Sequence, residues 1–292
     1  MTLWRKILAA VDLGSDTEKV LAYALWLARS SAEGDAEVHL LHVMNYALTP
    51  PAYMMPYIEK EREADNALLK EWEQKIASQG IRTDHTFAVG RLVETFTASF
   101  RELSSDVLVL GHRSHLIRPS SSERLIRSLP IPLLVVRGGK AEGATLGATA
   151  IKRIVCAVDF SENSRRAMEA ARSLAEKSSA ALIMVHAVSS LTLERSFAKL
   201  QEISEAGRNE YIRHLLRGAE ESLCSFLAGC SGVERAVTIG VPYKVINQTA
   251  AEKDADLIIM GAKGVSYIKE VLLGSVSEAV IKSSPCPVLI IR

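Results

Sequence analysis

The chain has 292 residues, 48% of them hydrophobic and 24% charged, and its 35 Lys and Arg nearly balance 34 Asp and Glu. At about 100–200 residues per domain this length predicts two domains, each large enough to bury a core without disulfide or metal staples. The charge balance argues against a nonspecific nucleic-acid binder, four cysteines without a C-x-x-C pair argue against a disulfide framework, and no apolar run reaches the roughly 18 residues of a membrane span.

The first predicted strand is ILAAVD, residues 7–12, a nearly continuous apolar run closed by an aspartate. Continuous rather than alternating apolarity predicts burial on both faces, as in a parallel sheet. Ser15-x-x-Glu18 reads as a capping box opening a helix with Val20, Leu21, Ala24, Leu25 and Ala28 as its apolar stripe. The second strand covers residues 38–44. Residues 53–57, Tyr-Met-Met-Pro-Tyr, are an apolar loop segment suited to covering a cleft, meeting a partner or filling a domain interface. A polar-rich helix fits 59–78, a strand 83–88, and a buried strand 106–111. His112, Arg113, His115, Arg118, Arg124 and Arg127 then read as a solvated basic loop, and residues 133–136 close the half as a strand.

Residues 138–150 are rich in Gly, Ala and Thr and read as a flexible linker between domain 1 (1–140) and domain 2 (151–292). Beyond it the same blocks return in the same order. Residues 152–163 repeat 5–16, 182–188 repeat 38–44, 256–264 repeat 106–114 and 285–292 repeat 130–137, at offsets drifting from 144 to 155. This is one domain duplicated, with loop insertions and deletions. Helices fit 164–178 and 205–227, and a strand fits 234–239. Each half is predicted to be an open, doubly wound, Rossmann-like α/β domain. It has five parallel strands with helices on both faces, and ligands bind at the carboxyl ends of its strands.

At that end the second half carries Gly261-Ala262-Lys263-Gly264 and, nine residues on, Gly274-Ser275, a Gly-x2-Gly-x9-Gly-Ser spacing. Such glycines adopt positive φ and let backbone N–H groups approach an anion, and the next helix adds its N-terminal dipole. The other reading of the same residues is plain architecture: glycines ending a strand and starting a helix, with Ser275-x-x-Glu278 as a capping box. His42 and His186, at matching strand ends, read as structural histidines. Asp12 reads as an Asx turn or N-cap, while Cys286 between two prolines reads as packed. Walker A, G-x-G-x-x-G and G-x-S-x-G motifs are absent from the sequence, and no catalytic or metal-binding set stands out.

The glycine pattern, the aspartates closing the first strands (Asp12, Asp159) and Val185-His186 after the second strand together resemble the universal stress protein family, in two tandem copies across nearly the whole chain. The resemblance implies an adenine-nucleotide site for ATP or AMP, with or without magnesium. Asp159 would lie beside the adenosine portion, the Val185 backbone at the adenine edge, and Met260 against the nucleotide. Gly261, Gly264, Gly274, Ser275 and Val276 would hold the phosphates, and Lys263 would screen their charge.

In the first half Gly111-His112-Arg113-Ser114 replaces the opening glycines, and Pro119 and Ser120 align with Gly274 and Ser275. The anion loop is degenerate there, so nucleotide binding is expected in the second domain, with the first binding none or binding poorly. The resemblance further implies a cytoplasmic stress-response sensor or regulatory module with an unknown protein partner. It also implies a homodimer, with the strands at 133–136 and 288–291 as pairing edges within and between chains. Two alternatives are a slow ATPase or nucleotide-processing enzyme and a nucleotide-free structural interaction module.

Overall fold

Apolar runs of four or five residues, bounded by polar turns, are too short for helices and too apolar for a half-exposed strand, so they pair into parallel sheets covered on both faces. In the computed structural model, residues 4–31, 35–45, 55–112, 121–199, 204–229, 232–264 and 273–292 are described. Tyr53, Met54, Arg113, Ser114, His115, Arg118, Pro119 and Ser120 lie outside the described residues. The chain divides into two compact units, Met1–Ala150 and Ile151–Arg292.

In the first unit the elements run β1 (Lys6–Ala10), α1 (Thr17–Ser31), β2 (Glu37–Asn45), α2 (Met55–Ala77), β3 (Arg82–Gly90), α3 (Leu92–Glu102), β4 (Val107–Gly111), α4 (Ser121–Ser128) and β5 (Leu133–Val136). Its strands lie in the order β3-β2-β1-β4-β5, and every pairing is parallel. The second unit runs β6 (Arg153–Ala157), α5 (Glu162–Ser178), β7 (Ala181–Ser189), α6 (Ser190–Lys199), α7 (Glu205–Phe226), β8 (Glu234–Gly240), α8 (Pro242–Glu252), β9 (Leu257–Gly261), α9 (Ser275–Ser283) and β10 (Val288–Ile291). Its order is β8-β7-β6-β9-β10, again parallel. Right-handed crossovers put the helices after the first two strands on one face and those after the third and fourth on the other. The chain reverses direction across the sheet at β1 and β6, which opens a cleft at the carboxyl ends of those strands.

The two copies share small devices as well as topology. One Asp106 oxygen accepts from the N–H groups of Arg5 and Lys6 (2.8 and 2.9 Å), and one Asp256 oxygen accepts from those of Lys152 and Arg153 (2.8 and 3.0 Å). Each clamps the start of the central strand. Leu13 and Phe160 both take positive φ, 58° and 65°, just after the strand-closing aspartates.

Several expectations are corrected. Helix α1 starts at Thr17, and the Asp16 carbonyl accepts from the Val20 N–H at 3.0 Å, so Ser15 stands outside the cap. Residues 138–150 are not a free linker. They form a 3-10 turn at Gly139–Ala141, bury Ala141 and Ala144, and place Glu142 2.5 Å from the Lys19 ammonium. The small side chains read as flexibility serve close packing. His112 is buried, with Nδ1 3.1 Å from the Ser122 hydroxyl, whereas Arg124 and Arg127 are exposed. Helices α3, α6 and α8 were not predicted, because each is only three turns long and falls among stronger signals.

Cys156 lies fully buried on β6, where burial pushes its thiol up to about 12, and Cys286 is buried too; Cys224 is exposed. A thiol reagent at mildly alkaline pH should therefore label Cys224 in the native protein and spare Cys156 and Cys286, read out by peptide mass spectrometry. Rapid native labelling of Cys156 would contradict this packing.

Candidate functional site

The cleft of the second unit begins where β6 ends. Asp159 closes the strand, and its Oδ1 accepts from the Ser161 N–H (3.1 Å) and hydroxyl (2.6 Å). The Ser161 oxygen in turn accepts from the Ser164 N–H at 3.2 Å, capping α5. Phe160, held at positive φ, lies against the His186 ring with centroids 4.4 Å apart. His186 Nδ1 lies 2.8 Å from the Val158 carbonyl, and His42 Nδ1 lies 2.8 Å from the Val11 carbonyl. A carbonyl only accepts, so in both rings Nδ1 carries the proton. Both histidines cap strand-end carbonyls, which is a structural role.

The glycines act by close approach. None of Gly261, Gly264 and Gly274 has positive φ, contrary to expectation. A Cβ at Gly261 would lie 2.8 Å from Asn163 Cβ and 2.9 Å from its backbone carbon, so β9 meets the start of α5 only without a side chain there. A Cβ at Gly264 would collide with Asp159 Oδ2. The loop is further fastened by Asn163 Nδ2, which donates to the Lys263 carbonyl at 3.2 Å.

At the other wall stands α9. Gly274 is its N-cap and gives no side-chain cap; its own N–H donates to the Ala262 carbonyl at 2.7 Å. That N–H is therefore already committed. Ser275 is the first helical residue, one place too late to cap, and Glu278 accepts from Lys282 at 2.8 Å, so the capping-box reading fails. The Ser277 hydroxyl donates toward the Gly261 and Ala262 carbonyls (3.0 and 3.2 Å). The N–H groups of Ser275, Val276 and Ser277 take no backbone acceptor among the described residues. Three open donors at the positive end of a helix attract an anion.

Between these walls lies a cavity of about 460 Å³. Asp159, Val185, Met260, Gly261, Lys263, Gly264, Gly274, Ser275 and Val276, the nine residues singled out in the sequence, all line it. Pro242, Ile246, Ala187, Ser189 and Thr192 line it too and were missed. The most informative of these is Ala187. The Val185 carbonyl already accepts from the Val158 N–H at 2.9 Å. Alternate residues of a strand direct their backbone groups to the same side. Ala187 therefore faces past the end of β6, and its N–H and C=O have no partner there among the described residues. The open backbone edge is that of Ala187, because β6 stops short of it.

The first unit holds a cavity of about 330 Å³ at the equivalent place, lined by Asp12, Asp16, His42, Phe96 and Ser122 among others. Asp12 Oδ1 accepts from the Gly14 N–H (3.0 Å) and the Thr17 hydroxyl (3.3 Å), the predicted Asx turn. Away from both cavities, the ligand atoms of Glu73, Asp84 and His85 lie within 4.8 Å of one another, and His85 Nδ1 is 2.5 Å from Glu73. No helix among the described residues is long and apolar enough to cross a membrane.

Comparison with known proteins places both copies. The sequence profile of the universal stress protein family matches residues 3–137 and again 150–292. A protein of Staphylococcus saprophyticus named as a universal stress protein is 33% identical over 142 residues, covering 48% of this chain and 83% of its own length. One from Staphylococcus haemolyticus is 32% identical over the same length, with 84% of its own sequence covered. The crystal structure of a universal stress protein from Archaeoglobus fulgidus superposes with a TM-score of 0.70 at 25% identity, covering 98% of this chain and 96% of that one. A Pseudomonas aeruginosa structure, at 17% identity and TM-score 0.67 over 99% of this chain and 94% of its own, shows the same fold. Two family matches end to end, on two copies of one parallel α/β fold, establish that the chain belongs to the universal stress protein family as a tandem member.

Proposed function

We propose that the second unit binds an adenine nucleotide, ATP or AMP, and that its occupancy makes the protein a cytoplasmic stress-response sensor or regulatory module for a protein partner. The observation that carries this reading is the convergence of all nine residues on one 460 Å³ cavity, rimmed by the three open N–H groups of α9. A nucleotide fits with its base against the Ala187 edge and Met260, its ribose toward Asp159, and its phosphates at Ser275, Val276 and Ser277. Lys263 lines the same end and lowers the cost of gathering phosphate charge. The cavity volume sits within the roughly 300–1,000 Å³ of small-molecule sites. Among the described residues Asp159 is the one acidic residue lining this cavity.

Isothermal titration of the full chain with ATP and with AMP tests the reading, together with mass spectrometry of ligand released from freshly purified protein. One equivalent of nucleotide per chain is expected, with Lys263→Ala weakening ATP more than AMP. No binding of either nucleotide would overturn it.

A further inference from the structure

The two cavities agree at one end and differ at the other. At the strand end, Asp12 matches Asp159, and Val43 stands where Ala187 does, with the Val11 N–H bonded to the Leu41 carbonyl (3.1 Å) as Val158 is to Val185. Val43 thus presents the same open backbone edge past β1. Asp12 uses only Oδ1 within its turn, and Oδ2 takes no donor among the described residues.

At the anion end the described residues of the two units differ. Asn163, whose amide fastens the glycine loop, is replaced by Asp16, which has no donor to give and is held by Lys19 at 3.2 Å. Ala262 is replaced by the buried His112, and Ile246 by the larger Phe96. Two carboxylates line a smaller cavity of about 330 Å³, still large enough for a small organic ligand.

We propose that the first unit's cavity is a second ligand site, which takes an uncharged purine nucleoside and rejects its phosphorylated forms. The inference rests on the nucleotide reading of the second unit, because the shared strand end is what transfers the nucleoside portion. Asp12 Oδ2 accepts from the ribose hydroxyls, the Val43 edge meets the base, and Val20, Phe96 and Leu110 supply the apolar walls. A phosphate would meet the Asp12 and Asp16 carboxylates, with Asp16 in the place where the second unit has the Asn163 amide.

The probe is adenosine, titrated into the full chain alone and at saturating ATP. Two equivalents of adenosine are expected alone and one at saturating ATP. The ATP-resistant equivalent should weaken at least tenfold in Asp12→Asn and vanish in Phe96→Trp, which fills the cavity; circular dichroism checks that both variants fold. Displacement of all adenosine by ATP, two ATP equivalents per chain, or an ATP-resistant equivalent untouched by Asp12→Asn would overturn the inference. Failure of ATP to bind at all, with one adenosine equivalent still sensitive to Asp12→Asn, would overturn the proposed function and uphold the second site.

Discussion

Gly264→Ala should weaken the proposed nucleotide binding by the second unit about 10–100-fold while leaving the unit folded. The added methyl would collide with Asp159 Oδ2, the far end of a side chain that can swing aside without moving backbone. The displaced carboxylate would then miss the ribose. A hydrogen bond to a charged group is worth about 1.5–3 kcal/mol, and each 1.4 kcal/mol is about tenfold in affinity. Titration calorimetry checks the loss, and thermal melting should stay within about 3 °C of the parent, since about 1 kcal/mol moves the midpoint by about 2–4 °C at this size. The single variants Gly264→Ala and Asp159→Ala should each lose similar affinity, and the pair should lose little more than either, because both remove one interaction. Parent-like affinity in Gly264→Ala would take Asp159 out of the site.

Gly261→Ala tests the fold rather than the ligand. Here the methyl would meet Asn163 Cβ at 2.8 Å and backbone at 2.9 and 3.1 Å, so β9 and the start of α5 must separate. Overpacking of this kind costs about 1–3 kcal/mol, a fall of about 3–10 °C in melting temperature. The counterpart Gly111→Ala meets mainly the Val20 Cγ2 methyl at 3.2 Å, a side-chain end that can yield. It should cost clearly less. Calorimetric scans of the two variants give the comparison, and equal destabilisation would show that the contact at Asn163 is not the constraint.

These two glycines show how far the sequence could be read. Their spacing singled them out as candidate anion-loop residues, and both line one cavity at the strand ends. Their reason was misread: positive φ was expected, whereas contact with Asn163 and Asp159 is what bars a side chain. Those partners lie about 100 residues away in the chain, and spacing carries no record of distances across a fold. The same limit hid Ala187, because which backbone groups remain open depends on where the neighbouring strand stops.

By itself the sequence determined the duplication, the parallel α/β class, the strand positions and the inequality of the two loops. Hydrophobic runs and turn residues are local signals of burial and chain reversal, and a repeated order of blocks needs no coordinates. Only the tertiary structure decided that Gly274 spends its N–H on Ala262, that Ser275 opens α9 instead of capping it, and that residues 138–150 are packed down. It also decided that the first unit has a cavity at the equivalent strand ends, with Asp16 and Phe96 in its wall. Each of these depends on which groups meet across long stretches of chain, and the hydrogen bonds left open after folding are what a ligand can use.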